Sequence, residues 1–129
     1  MVQKETSKGI VVGYGRKSKE DKNAKGISLS NQKERCQKWA KERGCQFVYF
    51  EDNNKTGDNL NRQGYKDLTD FVKQNNVKCI IVWKLDRLTR NIEDYYGVVQ
   101  PFLRKYNTTV ASYEEHFDDI FELEPMILA

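Results

Sequence analysis

The stretch "IIVWKLDRLTRN" (80–91) joins an apolar run to a cluster of charge. The longer run "VKCIIVW" (77–83) predicts a buried β-strand, and the charged residues begin as soon as it ends. These residues are Lys84, Asp86, Arg87 and Arg90. In sheets of parallel strands, ligands bind beyond the carboxyl ends of the strands. The stretch therefore predicts both a central strand and a charged site at its end.

Apolar runs and helical periods alternate along the rest of the chain. Strands are predicted at 9–15, 45–51, 77–83 and 108–113. A helix is predicted after each of the first three strands. The first helix is capped by Ser28 or Ser30 and ended by Gly44, and the second is capped by Asn61 and ended by Asn75 and Asn76. The third is capped by Thr89 or Asn91, with a kink or break at Pro101. This order predicts an α/β fold with a mostly parallel central sheet and helices on both faces.

Charge is unevenly distributed along the 129 residues. The first 113 residues contain all 22 Lys and Arg and 13 acids, a net charge of +9. Residues 114–129 contain six acids and no Lys or Arg. A body this basic suits a polyanion such as nucleic acid, although surface lysines that only maintain solubility would give the same count.

The apolar runs and the cysteines indicate a cytoplasmic protein. No run approaches the roughly 20 residues that span a membrane, and "MVQKETSKG" (1–9) lacks the apolar core of a signal peptide. Cys36, Cys45 and Cys79 are odd in number and show no C-x-x-C spacing. Buried thiols are therefore favoured over disulfides or a zinc site.

Hydroxyl, guanidinium and carboxylate groups follow the predicted strands. The first strand is followed by Arg16 and Ser18, and the second is followed by Glu51 and Asp52. The third strand is followed by the charged cluster at 84–90, and the fourth is followed by Glu114 and Glu115. Guanidinium forks match phosphate oxygens, and fixed cations stabilise the charge of a phosphoryl-transfer transition state. Arg87 and Arg90 are three residues apart and would project the same way from a first helical turn. Ser18 is the candidate nucleophile.

The sequence gives little support for a catalytic triad or a phosphate-binding loop. His116 is the only histidine and lies in the acidic tail, and the chain contains no G-x-S-x-G elbow. A Ser-His-Asp triad is therefore disfavoured. The segment "GYGRKS" (13–18) lacks the spacing of a phosphate-binding loop.

Two alternatives from other classes stay open at this point. Asp52, Asp86 and Glu114 would suit a magnesium ion in a metal-dependent nuclease or phosphotransfer domain, although Arg87 beside Asp86 opposes a cation there. In a non-catalytic α/β module of receiver or partner-binding type, Ser18 would be an ordinary loop residue and Asp86 would be phosphorylated or simply structural.

Five segments in order resemble the catalytic domain of the serine recombinases, the resolvase/invertase family. They are "YGRKS" (14–18), "GISLSNQ" (26–32), "DNNKTGDNLNRQGY" (52–65), "KLDRLTRN" (84–91) and "SYEEHFD" (112–118). The resemblance covers about residues 10 to 119, nearly the whole chain. The long interval between Ser18 and Gln32 is similar to that of the large serine recombinases of phages and mobile elements.

The resemblance implies site-specific DNA recombination through a covalent intermediate. The Ser18 hydroxyl would attack a DNA phosphodiester, become linked to the 5′ phosphate and release a 3′ hydroxyl that later attacks the phosphoserine. The residues that match the arginines around the scissile phosphate are Arg16, Arg62, Arg87 and Arg90. Gln32 and Asp86 match residues that position this network. No ATP, metal or other cofactor is implied, since the covalent link conserves the phosphodiester energy and the arginines supply positive charge.

The resemblance also implies partners. These are double-stranded DNA and further copies of the chain, as a homodimer and a synaptic homotetramer of the full-length protein. The chain ends where the family's long oligomerisation helix and DNA-binding domains would follow. We therefore expect residues 1–129 to be a catalytic-domain fragment with little recombination activity alone.

Overall fold

The computed structural model describes residues 9–18, 27–54, 62–89 and 92–114 of the chain. Four strands in this part form one sheet, in the order β2-β1-β3-β4, and every neighbouring pair is parallel. The strands are β1 (Ile10–Ser18), β2 (Gln46–Asn54), β3 (Val77–Val82) and β4 (Thr109–Ser112). The predicted α/β fold with a parallel sheet is confirmed.

Three helical elements connect the strands. Helix α1 spans Leu29–Glu42 and α2 spans Gln63–Gln74. Helix α3 consists of a helical turn at Ile92–Asp94, a π-helical segment at Tyr95–Val99 and an α-helical segment at Gln100–Lys105. A single 3₁₀ turn, Leu85–Arg87, follows β3. No helix of the described ranges is long and apolar enough to cross a bilayer.

The strands bury alternate residues on opposite faces of the sheet, as the two-residue period of a strand requires. Side chains that face α1 pack around Trp39 of that helix; they are Val11, Cys79, Ile81 and Ala111. Side chains of the other face pack against α2 and α3; they are Val12, Tyr14, Ile80, Val82 and Val110. Helices thus cover both faces, as predicted. Cys36, Cys45 and Cys79 form no disulfide within the described residues, and the first and last of them are buried.

Strand β1 is longer than its apolar run predicts. The sequence places its end at residue 15, whereas the strand continues through Ser18 because β2 continues beside it, with Arg16 opposite Asp52 and Ser18 opposite Asn54. Arg16 and Ser18 therefore lie in the strand rather than in a loop after it. Pairing with β3 stops earlier, at Tyr14 and Val82.

The predicted helix ends have mixed outcomes. The Ser28 hydroxyl caps α1 by accepting a hydrogen bond from the Asn31 amide (3.2 Å), and the helix ends before Gly44, which has a positive φ of 72°. The predicted cap of α2, Asn61, lies outside the described residues. The residue before α2 is Arg62, whose side chain makes no capping hydrogen bond.

The expected interruption at Pro101 is a change of helix type just before it. The Gln100 amide donates to the Tyr95 carbonyl five residues back, the spacing of a π-helix. Proline has no N–H and its ring collides with the carbonyl four residues earlier in a regular α-helix. A π-helical turn next to Pro101 accommodates both restrictions.

The order of the strands in the sheet shows where a ligand-binding crevice lies. From β1 the chain crosses to β2 on one side and returns to β3 on the other, so the strand order reverses between β1 and β3. Ligand sites of open α/β sheets lie at such a reversal, beyond the carboxyl ends of the strands. Arg16 and the 3₁₀ turn after β3 flank this position.

Candidate active site

The main chain of Arg16 is fixed by a side chain of α1. The Arg16 amide donates to Gln32 Oε1 and Gln32 Nε2 donates to the Arg16 carbonyl, both at 3.2 Å. Gln32 Nε2 also donates to the Ile27 carbonyl at 3.2 Å. Gln32 is fully buried, and its amide takes the place of a neighbouring strand where the pairing of β1 with β3 has ended. Gln32 is thus a positioning residue for the end of β1.

The guanidinium of Arg16 binds carbonyls of the turn after β3. Its terminal nitrogen donates to the Asp86 carbonyl at 2.9 Å and its Nε donates to the Arg87 carbonyl at 3.4 Å. Arg16 is only 7% exposed. A buried guanidinium requires such acceptors, because an ion that loses its water without replacement partners is costly. The first and third strands are therefore joined through Arg16.

The two charged side chains of this turn have opposite environments. Arg87 is buried, whereas the side chain of Asp86 is 56% exposed. Asp86 Oδ1 lies 3.6 Å from Arg87 Nε, an ion pair longer than a hydrogen bond. Asp86 was predicted to orient the arginines of the site. It contacts Arg16 through its main-chain carbonyl and not through its carboxylate.

The Asp52 carboxylate, on β2, caps helix α2. Asp52 Oδ1 accepts from the Gly64 amide at 2.8 Å and Oδ2 accepts from the Tyr65 amide at 2.9 Å. Asp52 Oδ2 also accepts from the Tyr14 hydroxyl at 2.5 Å. The first amides of a helix lack partners within the helix, and an anion there also interacts favourably with the helix dipole. A residue eleven positions before the first helical residue, Gln63, thus supplies the cap.

Arg62 is held beside this carboxylate by two aromatic rings. Its guanidinium lies 4.5 Å from the Tyr65 ring centre and 5.8 Å from that of Tyr14, and a terminal nitrogen donates to the Tyr14 hydroxyl at 3.2 Å. Burial raises the pKa of Tyr14, and its hydrogen bond to Asp52 adds to the effect. Tyr14 is therefore a neutral hydrogen-bond relay between the Asp52 carboxylate and the Arg62 guanidinium.

Two glycines permit the close approaches on which these contacts depend. A Cβ on Gly64 would collide with the carbonyl oxygen of Glu51, so only glycine lets the start of α2 lie against β2. A Cβ on Gly15 would collide with the Tyr49 hydroxyl and lie 3.3 Å from Gln32 Oε1. The network around Arg16 and Asp52 therefore depends on small residues beside it.

The predicted site residues are brought together as far as they are described. Arg16, Gln32, Arg62, Asp86 and Arg87 all lie at the carboxyl edge of β1, β2 and β3. Ser18 is the last residue of β1. Its side chain and the whole of Arg90 lie outside the described residues, as do Glu115 and His116. Arg87 lies in the 3₁₀ turn Leu85–Arg87, not on the helical turn from which it was expected to project with Arg90.

The predicted magnesium ligands are not assembled. Within the described ranges, which include Asp52, Asp86 and Glu114, no three His, Cys, Asp or Glu side chains form a group that would hold a metal ion. Both carboxylate oxygens of Asp52 already accept hydrogen bonds. Asp52, Asp86 and Glu114 therefore do not form a common metal site.

Sequence reasoning missed the roles of Tyr14, Asp52 and Trp83. Asp52 was considered as a strand-end carboxylate and as a metal ligand but not as a helix cap, although its place directly after the predicted second strand puts it level with Arg16 in a parallel sheet. Trp83 is 6% exposed, and the Arg87 and Lys84 cations lie 5.4 and 5.3 Å from its ring centre. The short-range pattern gave no signal for this contact.

Comparison with known proteins agrees with this geometry. Residues 11–126 match the family described as "Resolvase, N terminal domain". No curated protein matches the chain. Three solved structures are similar. The N-terminal catalytic domain of TP901-1 integrase is 26% identical (TM-score 0.70; 84% of this chain, 80% of that one). A resolvase family site-specific recombinase from Streptococcus pneumoniae is 24% identical (TM-score 0.73; 92% and 85%). The C-terminal catalytic domain of ISC1926 TnpA, an IS607-like serine recombinase, is 22% identical (TM-score 0.63; 92% and 78%).

The parallel sheet and the edge that carries Arg16, Arg62 and Arg87 define an α/β domain with a cationic site at the carboxyl ends of its strands. The family match covers most of the chain, so the chain belongs to the resolvase N-terminal domain family. It is the catalytic domain of a serine site-specific recombinase. Enzymes of this family cut and rejoin DNA through a phosphoserine link.

Proposed function

We propose that Ser18 is the nucleophile of this recombinase. Its oxygen attacks a DNA phosphorus, the Oγ–P bond forms, and the bond from phosphorus to the 3′ oxygen breaks. The serine hydroxyl loses one proton and the departing 3′ oxygen gains one. The product is a 5′-phosphoserine and a free 3′ hydroxyl, and attack of that hydroxyl on the phosphoserine reverses the step. No cofactor enters this balance.

The observation that carries the proposal is the fixed position of Arg16, two residues before Ser18 on the same strand. Gln32 holds the Arg16 main chain on one side, and the carbonyls of Asp86 and Arg87 hold its guanidinium on the other. Groups that are already oriented need little reorganisation as charge develops, which is the main source of electrostatic catalysis. Support for Ser18 therefore comes from the arginine network that its own strand carries.

We assign the phosphate-binding role to Arg16, Arg62, Arg87 and Arg90. Arg62 Nε is buried and has no hydrogen-bond partner within the described ranges, so this donor is not already committed to another described group. Arginine forks bind phosphate with two parallel hydrogen bonds. Gln32 and Asp86 serve as positioning residues, Gln32 through the main chain of Arg16 and Asp86 through the ion pair with Arg87.

The partner in this proposal is double-stranded DNA. The first 113 residues carry a net charge of +9, which favours a polyanion. We further propose a place among the large serine recombinases of phages and mobile elements, supported by the similarity to the TP901-1 integrase catalytic domain. Cleavage on both strands of two sites requires four serines, so we propose a dimer that pairs into a synaptic tetramer.

The test is a covalent protein–DNA adduct. The protein, in the full length that its gene encodes, is incubated with duplex DNA that carries its recombination site and is quenched in denaturant. We expect an adduct that survives denaturation, is unchanged by EDTA and is absent from Ser18→Ala. Ser28→Ala is the matched control, because Ser28 is an exposed helix cap of α1, and it should retain the adduct. Loss of cleavage in EDTA would favour the metal-dependent nuclease instead.

A further inference from the structure

Two buried tryptophans lie at opposite ends of the sheet, each with an arginine over its ring. Trp39 lies near the end of α1, beside the start of β3, and the Arg43 guanidinium is 3.8 Å from its ring centre. Trp83 follows β3 at the carboxyl edge, and the Arg87 guanidinium is 5.4 Å from its ring centre. Arg87 is one of the arginines assigned to the phosphate above, whereas Arg43 is remote from that edge.

The main chain at Trp83 is hydrogen-bonded to the residues that directly follow β4. The Trp83 carbonyl accepts from the Glu114 amide at 2.8 Å, and the preceding Val82 carbonyl accepts from the Tyr113 amide at 2.9 Å. These bonds continue the pairing of β3 with β4 beyond its last strand residues. The indole ring is therefore carried on a fixed main chain and is itself almost fully buried. A ring held in this way is a rigid platform for a flexible guanidinium.

Arg87 is buried as deeply as the ring, with 6% exposure. A guanidinium that has lost most of its water gains more from the negative face of an indole than an exposed one does. The carbonyl of Arg87 is in turn an acceptor for Arg16 Nε. A shift of Arg87 would thus alter both the phosphate-binding charge and the position of Arg16.

We propose that Trp83 is a positioning residue for catalysis, because its ring face holds the Arg87 guanidinium in place for the DNA phosphate. This inference rests on the proposed function of Ser18 and its arginines. Trp83 touches no reacting atom and acts on the phosphate through Arg87 and the turn Leu85–Arg87. The Lys84 ammonium lies 5.3 Å from the same ring centre. Its contribution comes from the electron density of the ring and not from a hydrogen bond. Within the described ranges, the buried indole N–H has no acceptor.

The sharpest test changes the ring's electron density at nearly constant shape. Trp83 alone is replaced by mono-, di- and trifluorinated tryptophan, each introduced at a stop codon placed at position 83. Each fluorine weakens the attraction of the ring face for a cation. We expect the logarithm of the Ser18–DNA adduct rate to fall in proportion to the number of fluorines, with an overall loss of roughly three- to thirtyfold. Rates that are independent of fluorination would overturn the proposal.

Substitution of Trp83 by natural amino acids provides a second test of the positioning role. Trp83→Phe keeps an aromatic face but loses the second ring and an N–H without a partner in the described residues, so its adduct rate should stay within about threefold of wild type. Trp83→Leu removes the face and should show the larger loss. Equal rates for Phe and Leu would contradict the proposal. Thermal unfolding of each variant separates loss of folding from loss of rate.

Trp39→Leu is the matched control, since it removes an arginine-stacked buried tryptophan at the opposite edge. It should lower the unfolding temperature while the folded protein keeps its adduct rate. The design also separates the two proposals. If wild type forms no Ser18-dependent adduct, the proposed function fails, whereas an adduct that is insensitive to the Trp83 ring refutes only the positioning role.

Discussion

Asp52 and Asp86 are two carboxylates at the same edge of the sheet with opposite environments. Asp52 is 6% exposed and accepts three hydrogen bonds, two of them from the first amides of α2. The Asp86 side chain is mostly exposed and makes one ion pair of 3.6 Å. The sequence drew attention to Asp86 because it stands among arginines. The comparison teaches that main-chain amides, and not neighbouring charges, determine which carboxylate organises this edge.

The largest expected effect comes from Asp52→Ala. Removing this carboxylate leaves two helix amides and a buried tyrosine hydroxyl without their acceptor, which should lower the free energy of unfolding by about 3 kcal/mol. Urea denaturation monitored by circular dichroism measures the change. Asp67→Ala, an exposed carboxylate on the same helix, should change the free energy by less than about 0.5 kcal/mol. Equal losses for the two variants would refute the capping role of Asp52.

The second-largest effect is expected at Gly64, where the start of α2 approaches β2 closely enough for Asp52 to cap the helix. Gly64→Ala places a methyl group against the Glu51 carbonyl and 3.1 Å from Asp52 Cγ. We expect a loss of about 2 kcal/mol, the usual cost of overpacking. Gly97→Ala is the matched control, because a Cβ at Gly97 has no neighbour within 4 Å among the described residues. It should be neutral or slightly stabilising in the same denaturation experiment.

Tyr14→Phe should show a smaller effect with a characteristic pH dependence. Loss of the hydroxyl should cost about 1 kcal/mol at neutral pH. Folding raises the pKa of Tyr14 through burial and the Asp52 hydrogen bond. The stability that this provides is fully present below the unfolded tyrosine pKa of about 10 and is lost as the pH rises above it. Between pH 10 and 11 the wild type should therefore lose up to about 1.4 kcal/mol more than the variant. Parallel pH curves would contradict this assignment.

The smallest effect is expected from Asp86→Asn. The Asp86 carboxylate is mostly exposed and lies 3.6 Å from Arg87 Nε, so this ion pair contributes little to stability and the free energy of unfolding should change by less than about 0.5 kcal/mol. Asn keeps the main-chain carbonyl that accepts from Arg16. A loss comparable to that of Asp52→Ala, in the same urea titration, would show that the Asp86 carboxylate organises the edge after all.

The strands and helices were predictable because their signals are local. Apolar runs of strand length and helical periods depend on residues close in the sequence, and the reversal between β1 and β3 then follows from parallel topology. The end of β1 was not predictable in this way. It is set by β2, whose Asp52 and Asn54 lie opposite Arg16 and Ser18.

The site was predictable in composition but not in its internal contacts. Arg16 and Arg87 were indicated because they come after predicted strands, and Arg62 because the segment 52–65 resembles the recombinase family. The cap of α2 by Asp52 and its bond from Tyr14 span 12 and 38 residues of sequence, respectively. Such pairs are formed by tertiary packing, which overrides the local preference for a cap directly before the helix.

The most direct test of the account identifies the residue that becomes linked to DNA. The adduct is digested with protease and nuclease, and the nucleotide-bearing peptide is sequenced by mass spectrometry. We predict a single modified residue, Ser18, joined to a 5′ phosphate, with a free 3′ hydroxyl on the other DNA end. Linkage through any other residue, or through a 3′ phosphate, would contradict the mechanism proposed for Ser18.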